Sequence, residues 1–133
     1  MRILVTGGLG FIGRRLTAEL ARGGHDVTAL DNGWRSDPDV PENVESLVVD
    51  IRDAEAVRRA VAGKDGIVHL AAIQGTQNFY NSPDLVLDVN ARGTLNVAEA
   101  CAQEGVGRLV FSSSSEVYGV PVEFPTPESA PPS

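Results

Sequence analysis

Cysteine is nearly missing from this chain: Cys101 is the only one in 133 residues. A single thiol builds no internal disulfide framework, and its scarcity suits a reducing cytoplasm, the compartment expected here. Histidine is almost as scarce. With His25 and His69 alone beside that cysteine, the chain has few ligands for a transition metal, and no metal site is expected. Long apolar runs are missing as well. No stretch approaches the roughly 20 residues that cross a bilayer. The opening MRILVTGG carries one charge and a brief apolar run before its glycines, unlike a secretory signal. Basic clusters are the last absence. Arg14, Arg15, Arg35, Arg58, Arg59 and Arg92 are scattered and the formal net charge is -7, so nucleic acid and anionic membranes are not expected partners.

What is present is an ordinary globular composition, 42% hydrophobic and 22% charged, in a length that suits one domain with a modest core. Apolar runs alternate with helical patterns. RILVTGG (2–8) reads as a buried strand ending in a tight turn. Ile12, Leu16 and Leu20 then recur every four residues on a helix closed by Gly23 and Gly24. DVTALDN (26–32) and VESLVVDI (44–51) are the second and third strands. DAEAVRRAVAG is a short amphipathic helix stopped by Gly63. DGIVHLAAI (65–73) is the fourth strand. A helical pattern from about Pro83 to Gln103 places Leu85, Val89, Leu95, Ala98 and Ala102 near one side. VGRLVFSSSS (106–115) is the fifth strand. Strands this apolar need cover on both faces, and strand–helix alternation supplies it in a doubly wound, parallel α/β sheet.

The turn out of the first strand, VTGGLGFIG, carries glycines at 7, 10 and 13 and opens the first helix. Gly7 permits the sharp turn, Gly10 lets the backbone approach a pyrophosphate, and Gly13 allows helix and sheet to pack closely. The amides and dipole of the helix start then face negative charge. A turn and tight packing would also use such glycines. The strand before them and the helix after them favour a phosphate cradle. Asp31 ends the second strand, 18 residues after Gly13, where a carboxylate accepts hydrogen bonds from an adenosine ribose and repels a 2′-phosphate. NAD is therefore expected over NADP, although Arg35 stands close enough to accommodate an extra phosphate. Asp31-Asn32-Gly33 also suits a plain turn.

Six ordered stretches, TGGLGFIG (6–13), LDN (30–32), DIRD (50–53), HLAA (69–72), VNARGTLNV (89–97) and FSSSSEVYG (111–119), give the chain a specific likeness. Over all 133 residues it resembles the extended short-chain dehydrogenases/reductases, in particular the NAD-dependent nucleotide-sugar epimerases and dehydratases. The resemblance implies a Rossmann domain over residues 1–120 with five strands in the order 3-2-1-4-5, ending before a sixth. Residues 121–133 would form a Pro-rich extended tail. It implies NAD contacts from Gly7, Gly10, Phe11, Ile12 and Gly13, and from Asn32, Arg35 and Ser36 near the adenosine end. Asp50 and Ile51 would flank the adenine. Leu70, Ala71, Ala72 and Gln74 would line the dinucleotide, with Val89 and Asn90 reaching it from the long helix. His69, alone in an apolar strand, reads as a satisfied core histidine.

In the same likeness, Ser114 takes the place of the active-site serine or threonine that bonds the sugar hydroxyl being oxidised. Ser115 and Glu116 fall where dehydratases carry Asp-Glu and decarboxylases carry Ser-Glu, which makes Glu116 an acid/base candidate. Ser112 and Ser113 read as strand-end residues. Family chemistry, which passes through a transient keto sugar, also uses a Tyr-x-x-x-Lys pair, and this sequence has no lysine after Lys64 and no tyrosine after Tyr118. The expectation is thus the cofactor-binding portion of such an enzyme, a fragment that contacts NAD but does not run the redox step alone. A nucleotide sugar would be the substrate of the complete enzyme. A non-catalytic NAD-binding or regulatory module, or an inactive truncated product, stay open as alternatives. A fifth strand without a neighbour would leave an open sheet edge, so self-association is expected.

Overall fold

The computed structural model describes residues 1–36 and 39–132. Five parallel strands, β1 (Arg2–Thr6), β2 (Asp26–Asp31), β3 (Val44–Val48), β4 (Gly66–His69) and β5 (Leu109–Phe111), form one sheet in the order β3-β2-β1-β4-β5. This is the expected doubly wound arrangement. The most apolar strands lie at its centre, where Leu4, Val5, Ala29 and Leu30 have no solvent exposure. Each fully buried Leu or Val contributes about 1.5–3 kcal/mol relative to an exposed one.

Helix α1 (Phe11–Arg22) covers one face, packing Leu16 and Leu20 on Ile3, Val5 and Val27. Helices α2 (Ala54–Val61) and α5 (Thr94–Gln103) cover the other, where Val57, Val61 and Val97 join Leu4, Leu30 and Ile67. Asp53 starts α2 by accepting a hydrogen bond from the Ala56 amide at 2.9 Å, an N-cap that the sequence places one residue before the helix. Between β4 and α5 the chain forms α3 (Thr76–Asn81), α4 (Pro83–Leu87) and a π-helical segment (Asp88–Gly93).

Strands four and five are shorter than their apolar runs. β1 stops at Thr6 because Gly7 turns with φ +66°. Thr6 pairs with His69 and His69 with Phe111, so the end of β1 sets the ends of β4 and β5 in turn. Residues 70–73 follow β4 outside any strand or helix, with the Leu70 amide still donating to the Thr6 carbonyl at 3.1 Å. The apolar stripes also differ. On α1 the most buried positions are Gly13 and Thr17, while Ile12 is 62% exposed. Along the later helix the buried face is Val89, Gly93, Val97, Ala100 and Cys101, and Leu95 lies outside it. Gly93 is on that face because Ile51 fills the space of its missing Cβ, only 2.5 Å away. A glycine shows no apolar side chain, so the pattern pointed one step round the helix. Helix α3 was not expected, since TQNFYN carries no apolar period and buries none of its residues.

Beyond β5 a short 3₁₀ turn (Ser115–Tyr118) precedes bends around a hollow of about 280 Å³ lined by Tyr118 and by residues from Val120 to Pro131. No helix among the described residues is long and apolar enough to cross a membrane.

Candidate functional site

The C-terminal ends of β1, β2 and β4 open onto one cleft of about 590 Å³. This is the edge at which doubly wound sheets bind ligands. Its floor is the first glycine turn. A Cβ on Gly7 would lie 2.9 Å from the Ala71 amide nitrogen, and one on Gly13 would meet the Gly7 carbonyl at 2.0 Å. These two positions therefore let β1, β4 and α1 close together. Gly10 differs: among the described residues its Cβ would meet only the Gly7 carbonyl, at 3.3 Å, leaving its other side open to the cleft. It stands at the N-terminus of α1 with no side-chain cap and no acidic residue in the first turn. Phe11 and Ile12, 90% and 62% exposed, present the first helical turn to the same space. Free amides at a helix start, on the side where Gly10 carries no side chain, suit a pyrophosphate.

Asp31 faces this floor from the end of β2. Its Oδ2 accepts from the Leu9 amide at 3.2 Å and its Oδ1 from the Gly33 amide at 3.0 Å. The carboxylate thus ties the glycine turn to the loop after β2. In that loop the Trp34 amide donates to Asn32 Oδ1 at 3.1 Å, and the Arg35 guanidinium lies 5.2 Å from the centre of the Trp34 ring. Asn32, Trp34, Arg35 and Ser36 all line the cleft.

The next wall follows β3. Asp50 accepts from the Arg52 guanidinium through both oxygens, at 3.0 and 2.7 Å, and from the Arg52 amide at 2.9 Å. Asn32 Nδ2 reaches it at 3.5 Å. The Arg52 side chain, with lesser help from that amide and Asn32, holds the Asp50 carboxyl down to about 2 against the opposing effect of burial. Arg52 also meets Asp88 at 3.5 Å, and Asp88 meets Arg92 at 3.0 Å.

The far wall is the irregular segment after β4, which Thr6, His69, Asn90 and Thr94 brace. The Leu70 and Ala71 amides both donate to Thr6 Oγ1 at 3.2 Å. With that oxygen accepting twice, the Thr6 hydroxyl donates to His69 Nδ1, 2.6 Å away. Across the ring, Thr94 Oγ1 donates to the Asn90 carbonyl at 2.6 Å, so His69 Nε2 donates to Thr94 Oγ1 at 3.0 Å. His69 is therefore a neutral imidazole with both nitrogens satisfied and 3% exposure, the core role expected of it. Burial lowers its pKa. Asn90 finishes the brace. Its side chain accepts from the Ile73 amide at 2.8 Å and donates to the Ile73 carbonyl at 2.9 Å. The π turn that carries Asn90 is the kind of helical irregularity that re-aims side chains at sites.

Of the residues expected to hold a cofactor, Gly7, Gly10, Phe11, Ile12, Gly13, Asp31, Asn32, Arg35, Ser36, Asp50, Ile51, Leu70, Ala71, Ala72, Gln74 and Val89 line this one cleft. Asn90 does not line it; it positions Ile73, which does. Ser114 and Glu116 lie outside the lining. Both are exposed, and Ser114 Oγ accepts from the Glu116 amide at 3.2 Å as cap of the 3₁₀ turn. Ser112, read from sequence as a strand-end residue, donates its amide to the His69 carbonyl at 3.2 Å and lines the cleft too. Trp34, Arg52, Ile73 and Leu85 were not anticipated there. Only Arg52 had a signal, its place two residues after Asp50; the others arrive through loop and helix packing. Among the described residues no group of three or more His, Cys, Asp or Glu is placed to hold a metal.

A sequence profile of the NAD dependent epimerase/dehydratase family matches residues 3–133. The chain belongs to that family. It is similar to a UDP-glucose 4-epimerase of Neisseria meningitidis serogroup B, 37% identical over 98% of this chain and 42% of that protein. It is also similar to a UDP-N-acetyl-alpha-D-glucosaminuronate decarboxylase of Bacillus cytotoxicus, 36% identical over 89% of this chain and 38% of that protein. In three dimensions it follows the Thermus thermophilus UDP-glucose 4-epimerase crystallised in complex with NAD. The TM-score is 0.90 at 40% identity, covering 100% of this chain and 44% of that one. The chain thus spans about two fifths of the length of these relatives.

Proposed function

We propose that this chain is the cofactor-binding portion of an NAD-dependent enzyme that epimerises, dehydrates or decarboxylates a nucleotide-linked sugar. The observation that carries the reading is convergence: an uncapped helix start, a glycine turn and Asp31, which is hydrogen-bonded to that turn, all meet one cleft. The cleft suits a dinucleotide along its length. Amides of the first turn of α1 would hold the pyrophosphate, and Asp31 would accept from the adenosine ribose. Ile51 would support the adenine, while the braced segment from Leu70 to Gln74, with Val89, would line the nicotinamide half. NAD bound there supplies hydride acceptance and return.

The chain's own residues provide binding and orientation. Asp50 is assigned the amino group of the adenine, although Arg52 and Asn32 already occupy its oxygens. A contact there would share or displace one of them. Ser114 is assigned the sugar hydroxyl and Glu116 a proton-transfer role. Both lie outside the cleft lining, and Ser114 Oγ, which accepts from the Glu116 amide, keeps its own proton to donate. That placement, outside the cleft, gives some support to a second reading, a module that binds NAD without catalysis. These residues include no Tyr-x-x-x-Lys pair, so we expect binding without turnover from this chain alone.

The test is calorimetric. NAD should bind the chain with measurable heat, and Asp31→Ala should weaken NAD by about tenfold, the equivalent of roughly 1.4 kcal/mol for a lost charged hydrogen bond. NADP should suffer less. Failure of NAD to bind at millimolar concentration would refute the reading, and an equal loss for both dinucleotides would refute the ribose contact.

A further inference from the structure

We infer that Arg52 is a positioning residue: by fixing the Asp50 carboxylate it makes this wall of the cleft selective for a base with an exocyclic amino group over one with a carbonyl there. This rests on the cofactor reading above, which assigns Asp50 to the adenine, and deepens it.

Asn32, Asp50 and Arg52 all line the cleft, and their hydrogen bonds divide the Asp50 carboxylate unequally. An ionised carboxylate has about four acceptor sites, two on each oxygen. On Oδ1 both are taken, by the Arg52 amide at 2.9 Å and by Arg52 Nε at 3.0 Å. On Oδ2 one is taken, by Arg52 Nη2 at 2.7 Å. Among the described residues the remaining Oδ2 site meets Asn32 Nδ2 alone, at 3.5 Å, where little of a hydrogen bond is left. One acceptor therefore stays open to a ligand. Its direction is fixed, because the forked guanidinium and the Arg52 amide hold the carboxylate at three points.

Arg52 is itself anchored from behind. Its Nη1 lies 3.5 Å from Asp88 Oδ2, and Arg92 meets the other Asp88 oxygen at 3.0 Å. Asp88 opens the π-helical segment and does not line the cleft. Asn96 on α5 donates to the Ile51 and Arg52 carbonyls at 2.9 and 3.1 Å, which ties down the backbone of the same wall. The guanidinium also keeps the Asp50 carboxyl ionised, so at neutral pH the open Oδ2 site only accepts. Adenine offers an amino N–H to it. Hypoxanthine carries a carbonyl oxygen at that position, and two acceptors then face each other. A carboxylate without Arg52 is free to turn aside from that clash, so the selectivity belongs to the pair.

The intact chain is titrated calorimetrically at about pH 7.5 with NAD, nicotinamide hypoxanthine dinucleotide, 5′-AMP and 5′-IMP. The native chain should bind each adenine ligand about tenfold or more tightly than its hypoxanthine counterpart. Arg52→Gln should cut that ratio to about threefold or less, chiefly by weakening the adenine ligands. A merely structural loss would weaken both members of a pair alike and leave the ratio unmoved. Arg52→Lys, which keeps the charge without the fork, should recover part of the ratio. Asp88→Asn should lower it by a smaller factor, and it decides alone should Arg52→Gln fail to fold. If NAD binds but the native ratio is absent, or is unchanged in Arg52→Gln, the inference is overturned and the cofactor reading stands. If 5′-AMP is preferred to 5′-IMP through Arg52 while neither dinucleotide binds, the amino-selective wall stands and the cofactor reading falls. Silence with all four ligands overturns both.

Discussion

Gly13 occupies a position that no other residue can fill without moving backbone. Its missing Cβ would stand 2.0 Å from the Gly7 carbonyl and 2.8 Å from Gly8 Cα. A flexible side chain could yield to such contact, but a turn tied to Asp31 and to the start of α1 cannot. Alanine gains up to about 1 kcal/mol of helix propensity, while overpacking against fixed backbone costs typically about 1–3 kcal/mol and here more. Gly13→Ala should therefore lower stability by about 2 kcal/mol or more and weaken NAD binding together. Urea unfolding and titration of the same sample check this; unchanged stability and affinity would mean the turn is looser than its geometry. Gly10→Ala should be milder for the fold, because among the described residues the nearest neighbour of its added Cβ is at 3.3 Å.

His69 acts at the scale of elements. Through Thr6 and Thr94 it links β1, β4 and α5, and through the Asn90 carbonyl it joins the turn that braces Ile73. A proton on Nδ1 would set two donors against each other, since the Thr6 oxygen already accepts from Leu70 and Ala71. Burial pushes the pKa the same way, down. The sign follows. The unfolded chain takes up this proton near pH 6.5 and the folded chain only at lower pH, so the protein loses stability as pH falls below about 6.5. The slope can reach about 1.4 kcal/mol per pH unit until the folded state also protonates. Asp50 acts in a separate, more acidic window. Its lowered pKa, about 2 against an ordinary 3.8, contributes stability above about pH 4 that is lost as pH drops toward 2. Urea midpoints measured from about pH 7.5 to 5 should fall in the native chain and stay flatter in His69→Asn. Parallel curves for the two proteins would remove His69 from the account.

At the scale of the whole molecule the two sheet edges differ from the centre. Among the described residues β5 pairs with β4 alone, and Leu109, Val110 and Phe111 are 41%, 50% and 56% exposed. Apolar side chains of the following segment, Val120, Val122 and Phe124, are exposed as well. An unpaired strand edge bordered by apolar surface invites pairing with another chain. We expect concentration-dependent self-association, read as a rising mass in size-exclusion chromatography with light scattering. A uniform monomer over a wide concentration range would count against it.

Much of this organisation could be read from residue order. The apolar runs located all five strands, the glycine spacing located the turn, and nearly every residue assigned to cofactor binding lines one cleft. Those features depend on local backbone chemistry: a glycine where φ is positive, a β-rich run where a strand is buried, a carboxylate at a strand end. What tertiary structure alone decided depends on neighbours far apart in the chain. Strands β4 and β5 end where β1 ends, because a ladder needs a partner at each step. Gly93 is buried because Ile51 lies against it, and Asn90 braces Ile73 where a direct cofactor contact was expected. Among the described residues Arg35 meets an indole face where Arg52 meets two carboxylates. Only folding could assign those partners, since ion pairing is settled by distance in space.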